Sequence, residues 1–126
     1  MRKANKILLA EDDKFLVRAY KDGIARAGFE VIVAHDGKEA MDKLKSEKPD
    51  LLLLDLVMPI KNGFEVLEEM KMDDGFKNIP VIILSNLGQD TDIAKGKKLG
   101  AIDYLIKSNF SMKEVIEKVK FHLTKK

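Results

Sequence analysis

The sequence predicts an α/β fold, a doubly wound parallel sheet with helices on both faces. Three observations carry that prediction. Short apolar runs alternate with helix-period patterns five times along the 126 residues, which is the order that repeated strand–helix crossovers produce. The run Leu51-Leu52-Leu53-Leu54 is apolar at every position. A strand with one wet face would alternate, so a continuous run marks a strand covered on both sides. The chain also has the length of one domain with one core, and it shows no internal repeat, low-complexity segment or linker.

The first strand is Ile7-Leu8-Leu9-Ala10, which ends abruptly in Glu11-Asp12-Asp13. A helix follows, with Leu16, Ala19, Tyr20, Gly23, Ile24 and Ala27 on one face and Gly28 as its C-terminal glycine. Val31 to Ala34 form the second strand, Asp36-Gly37 a turn, and Ala40, Met41 and Leu44 the apolar side of a second helix that Pro49 ends. After the leucine strand come Asp55, a Pro59/Gly63 loop, and a helix with Val66, Leu67 and Met70 inward. Val81-Ile82-Ile83-Leu84 is the fourth strand. Its helix, over about residues 89–99, is the weakest. It has only Ile93, Ala94 and Leu99 as apolar positions, and Gly96 inside it costs about 1 kcal/mol relative to alanine. Ile102 to Ile106 is the fifth strand. Met112, Val115, Ile116, Val119 and Leu123 recur at helical steps in the last helix, with Ser111 near its start.

Composition excludes several classes of function. A net charge of +2 is too small to imply nucleic acid or an anionic membrane. The absence of cysteine rules out disulfides and thiolate chemistry. Met1 to Asn5 lack a signal peptide's apolar stretch, and no run approaches the roughly 20 apolar residues of a membrane span. A cytoplasmic protein is expected, with no direct nucleic-acid or membrane partner.

In open α/β sheets ligands bind beyond the carboxyl ends of the strands. Strand one ends in Glu11 and Asp12, strand three in Asp55, strand four in Ser85, and strand five leads to Lys107. Three carboxylates, a hydroxyl and an ammonium therefore converge. Clustered carboxylates repel, and a divalent cation relieves that; oxygen-only ligands favour Mg²⁺ or Mn²⁺. With a cation present Asp55 can act as a nucleophile toward a phosphoryl group, whose oxygens Ser85 and Lys107 would contact. His35 and His122 have no partners at ligand spacing, and Lys95, Lys97 and Lys98 read as a solvated helix face.

Four stretches at these positions, in order, resemble the receiver domain of bacterial two-component response regulators, of the stand-alone, chemotaxis-regulator-like kind. They are Ile7 to Asp12, Leu51 to Pro59 with Gly63, Ile82 to Ser85, and Gly100 to Lys107. The resemblance implies a flavodoxin-like three-layer sandwich with sheet order 2-1-3-4-5 and one receiver domain over residues 5–124; with only Thr124, Lys125 and Lys126 after the last helix, no output domain is expected. It implies that Asp55 accepts phosphate from a histidine kinase or phosphotransfer protein, and that Mg²⁺ (or Mn²⁺) is held by Glu11, Asp12, Asp55 and the backbone carbonyl of Val57. Family spacing to Gly28-Phe29 selects Glu11 and Asp12 over Asp12 and Asp13, leaving Asp13 to cap the first helix. Ser85 and Lys107 would bind the phosphoryl group, and Ser85 and Tyr104 would form the switch; an aromatic in a strand is also ordinary core. The surface so switched comprises strand 4, helix 4, strand 5 and helix 5. It would engage a downstream protein, in a monomer or a phosphorylation-dependent homodimer.

The sequence departs from the family's pattern in three places. Ser108 follows Lys107 where receivers usually have proline after a cis bond, so the peptide is either trans or a strained cis bond. Asn86 follows the hydroxyl where a small residue is usual, and would narrow access to Asp55 or add a phosphate contact. Val57 and Leu87 are apolar where residues can orient the attacking water, which predicts slow self-dephosphorylation.

Three other functions compete. A phosphatase of the haloacid-dehalogenase type uses a similar set, but it needs a second Asp where Val57 stands. A flavodoxin-type flavin module needs a Ser/Thr/Gly phosphate loop where Glu11-Asp12-Asp13 stands. An unphosphorylated interaction module would not need the full residue set. The expectation is a non-enzyme that catalyses only its own aspartyl phosphorylation and slow dephosphorylation.

Overall fold

The structure is a computed structural model that describes residues 4–124. The expectations for Met1 to Lys3 and for Lys125 and Lys126 lie outside them. The elements alternate in the predicted order: β1 Lys6–Ala10, α1 Lys14–Arg26, β2 Glu30–Ala34, α2 Gly37–Glu47, β3 Leu51–Leu54, α3 Gly63–Lys71, β4 Val81–Ser85, α4 Asp90–Lys98, β5 Asp103–Ile106 and α5 Met112–Thr124. A single 3-10 turn, Lys107–Asn109, separates β5 from α5. All strand pairs are parallel, and the order is β2-β1-β3-β4-β5.

The leucine run behaves as its composition requires. All four residues of β3 are 0% exposed, and they divide by parity because successive side chains point to opposite faces. Leu52 and Leu54 join a core with Ala40 and Leu44 of α2 and Val66 and Met70 of α3. Leu51 and Leu53 join the other core, with Tyr20 and Ile24 of α1 and Val115 and Val119 of α5. Each fully buried leucine contributes about 1.5–3 kcal/mol, and β3 does so for both layers at once.

Helix starts follow local chemistry. The Asp13 carboxylate accepts from the amides of Phe15 and Leu16, Asp36 accepts from Glu39, and Asn62 and Glu65 form a capping box. Asp36-Gly37 is thus a cap and first helical residue, where the sequence reading placed a turn. Ser111 and Glu114 cap α5 reciprocally.

Two alanines differ from expectation. Ala19 and Ala94 are exposed, because each stands at the margin of its apolar stripe, and a lone methyl is too small to pull a helix over. In α4 the only buried residue is Gly96. A Cβ there would lie 2.5 Å from Ile83 Cδ1 and 3.3 Å from the Tyr104 ring. The glycine that weakens the helix lets it close onto the sheet. Lys95 is exposed, as a solvated face requires, and its ammonium also lies 4.5 Å from the Phe64 ring centre.

Candidate functional site

Strand pairing brings the acidic residues together. Ala10 of β1 pairs with both Leu54 of β3 and Ala34 of β2, so the chain leaves β1 and β3 side by side. The ladder runs one step further, with the Asp55 amide donating to the Ala10 carbonyl at 3.0 Å. Glu11 and Asp55 are thereby buried, 2% and 6% exposed, while Asp12 is exposed. One carboxylate oxygen of each of Glu11, Asp12 and Asp55 falls within 4.8 Å of the others.

Lys107 enters from the end of β5. Its Nζ donates to Glu11 Oε1 at 2.5 Å and to Asp55 Oδ2 at 3.2 Å. Burial works against the lysine's charge, but the Glu11 hydrogen bond and the Asp55 charge prevail and hold its pKa above the usual value. Burial pushes the Glu11 carboxyl up, and the Asp55 charge adds to this. The hydrogen bonds from Lys107 and the Asp13 amide only partly offset the rise. Burial also pushes up the phenol of Tyr20, which senses the charges of Lys107, Glu11 and Asp55 from α1.

The other predicted residues stand nearby with different partners. Ser85 is 1% exposed, and its Oγ accepts from the Leu87 amide at 3.3 Å, with no hydrogen bond to Asp55 among the described residues. Asp55 Oδ1 is engaged by the Leu56 amide at 2.7 Å and, more weakly, the Val57 amide at 3.4 Å. The Val57 side chain is exposed. Tyr104 is partly exposed, and its hydroxyl donates to the Leu87 carbonyl. Burial, then the charges of Asp92 and Asp55, push that phenol up to about 12.

The loop after Asp55 is tightly built. A Cβ at Gly63 would lie 2.4 Å from the Asp55 carbonyl oxygen, and the Gly63 amide donates to Leu56 O at 3.0 Å. Glycine is required there by close approach. Ile60 has φ 70, beside a 2.7 Å bond from the Lys61 amide to the Pro59 carbonyl. A β-branched residue in that region is strained.

Sequence reasoning missed two contacts. Lys107 pairs with Glu11 as well as Asp55, which no local signal reveals. Asn86 Oδ1 accepts from the Ser108 amide at 3.1 Å, so two of the residues noted as departures from pattern are partners. No peptide bond is cis among the described residues, which makes Lys107-Ser108 trans.

The receiver-domain model of response regulators matches residues 7–120. The chain belongs to the response regulator receiver domain family. This receiver is 42% identical over 116 residues to the transcriptional regulatory protein CpxR of Escherichia coli K12, covering 92% of this chain and 48% of that protein. It thus spans about half the length of the curated relatives it matches. The receiver domain of Francisella response regulator 1452 superposes with a TM-score of 0.87 at 34% identity, over 94% of this chain and 96% of that one. The Mn²⁺-bound form of response regulator Rcp1 superposes with a TM-score of 0.86 at 33% identity, over 97% and 96%. Receivers are signalling proteins rather than multiple-turnover enzymes in the usual sense.

The donor set of this receiver fits a divalent cation. Its three convergent ligands are all carboxylate oxygens, two of them buried, against a single ammonium, which is the chemistry of a hard ion. Among the described residues no helix is long and apolar enough to cross a membrane.

Proposed function

We propose that this receiver is a cytoplasmic phosphorylation switch whose acceptor is Asp55, charged by a histidine kinase or phosphotransfer protein. The observation that supports it best is the buried Asp55 carboxylate, flanked by Glu11 and Asp12 and touched by Lys107. An Asp55 oxygen attacks the donor phosphorus and forms a new P–O bond. The donor's P–N bond, or P–O bond in acetyl phosphate, breaks, and its electron pair leaves with the departing group. The product is an acyl phosphate on Asp55.

Mg²⁺, or Mn²⁺ in its place, would be held by Glu11, Asp12, Asp55 and the Val57 carbonyl. When bound it supplies charge neutralisation for the phosphoryl oxygens. Lys107 supplies a further cationic donor and orients the Asp55 carboxylate. Ser85, exchanging its local Leu87 partner, donates its hydroxyl to a phosphoryl oxygen. Tyr104 leaves the Leu87 carbonyl as the β4–α4 loop moves, and the β4–α4–β5–α5 face thereby changes its affinity for a downstream protein or a second copy. Phosphorylation adds about −1.5 to −2 charges, which is the drive for this shift. Apolar Val57 and Leu87 give an attacking water no orienting partner, so the phosphoryl group is expected to last well beyond seconds.

The test is labelling by acetyl phosphate. Incorporation should require Mg²⁺, stop near one equivalent, and vanish in Asp55→Asn. Labelling that survives in Asp55→Asn, or turnover of phosphate ester in excess over protein, would overturn the reading.

A further inference from the structure

The β4–α4 loop is tied to β5 and its sequel at three points. Gly88 lies so close to Ile106 that a Cβ would be 2.9 Å from its Cδ1. The Leu87 carbonyl accepts from the Tyr104 hydroxyl. Asn86 Oδ1 accepts from the Ser108 amide at 3.1 Å. The last tie differs from the others in position. Asn86 directly follows Ser85, and Ser108 directly follows Lys107. Ser85 and Ile106 are paired in the β4–β5 ladder, so the hydrogen bond continues the pairing of these strands into the two loops that carry the hydroxyl and the ammonium.

The chemistry is reciprocal. The bond needs an N–H at position 108, which serine has and proline lacks, and an acceptor at position 86, which a small apolar residue would not provide. Engagement of Oδ1 also assigns the orientation of the carboxamide. Lys107 has no hydrogen bond to Ser85 among the described residues, so the backbone on either side must set their separation.

We propose that Asn86 and Ser108 form a latch, and that Asn86 is a positioning residue that acts through the Ser108 amide to hold Lys107 and Ser85 at a fixed spacing over Asp55. The proposal rests on the phosphoacceptor reading. Loss of one hydrogen bond of ordinary strength predicts a rate change of about two- to tenfold.

The experiment is a double-mutant cycle in the full chain, read as the rate of Asp55 labelling by acetyl phosphate with saturating Mg²⁺. Exchange of the Ser108 amide is followed in parallel by NMR. Asn86→Ala should slow labelling two- to tenfold and quicken Ser108 exchange. In a Ser108→Pro background, where no donor exists, Asn86→Ala should change the rate little, whereas Ser108→Ala, which keeps the N–H, should label like the wild type. An equal Asn86→Ala effect in both backgrounds, or Ser108 exchange unaltered by Asn86→Ala, overturns the latch while leaving Asp55 as acceptor. Wild-type protein that takes up no phosphoryl group overturns the functional reading and the positioning role with it.

Discussion

Two polar clusters sit at opposite ends of β5 and obey different accounts of charge. Beyond its carboxyl end, Lys107 bridges Glu11 and Asp55 with Asp12 alongside, so three carboxylates face one ammonium. At its start, Asp103 Oδ2 meets His122 Nε2 of α5 at 2.9 Å, one carboxylate to one imidazole. The second cluster is closed: it ties a helix to an edge strand. The first carries surplus negative charge in a buried place, where an unpaired charge is expensive. The difference separates a structural contact from a site built to receive a cation and, on the proposed reading, a phosphoryl group.

The largest effect is expected at Lys107. Lys107→Met leaves Glu11 and Asp55 facing each other without a counter-charge. In EDTA the variant is expected to lose about 3–5 kcal/mol in urea unfolding, the usual cost of orphaning a buried ion. Added Mg²⁺ should restore part of that loss. A variant as stable as the wild type in EDTA would mean that the surplus charge is not felt.

Cation binding should distinguish the two clusters by a smaller amount. A ligand at a hundredfold excess over its Kd stabilises by about 2.7 kcal/mol. Mg²⁺ should raise the urea midpoint of the wild type accordingly, and the rise should shrink in Asp12→Asn and in Glu11→Gln. It should persist in His122→Ala, because the closed pair takes no part. An equal rise in all four proteins would place the cation elsewhere.

The smallest effect belongs to the closed pair. His122→Ala is expected to cost about 2 kcal/mol at neutral pH, the scale of a hydrogen bond to a charged group. Burial works to raise the Asp103 carboxyl. The bonds from His122 and the Tyr104 amide, with the charge of Lys118, overcome it and hold its pKa below the usual 3.8. A depressed carboxylate stabilises the fold fully above its unfolded pKa, and that contribution is lost as pH falls through the folded value. The stability gap between wild type and His122→Ala should therefore narrow on acidification below about pH 4. A gap that stays constant to low pH would rule out this role for Asp103.

The parts of the fold legible in the chain were those that local pattern controls. Leu51 to Leu54 announced a two-sided strand, and Asp55 followed it. Periodicity marks the inward faces of α2, α3 and α5, and the resemblance to receivers assigns the cap at Asp13. Periodicity does not settle Ala19 and Ala94, since a single methyl at the edge of a stripe carries too little apolar area to decide its side. Gly96 reads as a weakness in the sequence because its cost is local and its benefit, close approach to Ile83 and Tyr104, belongs to two strands, β4 and β5.

By itself the sequence determined which residues end each strand, and therefore that carboxylates, a hydroxyl and a lysine would meet at one edge of the sheet. That follows from parallel connectivity alone, which sends every strand the same way. Only the tertiary structure decided the pairings inside that edge: Lys107 on Glu11 as well as Asp55, and Asn86 bound to Ser108. These contacts join residues up to 96 positions apart. They depend on strand order, register and side-chain reach together, which no local spacing encodes.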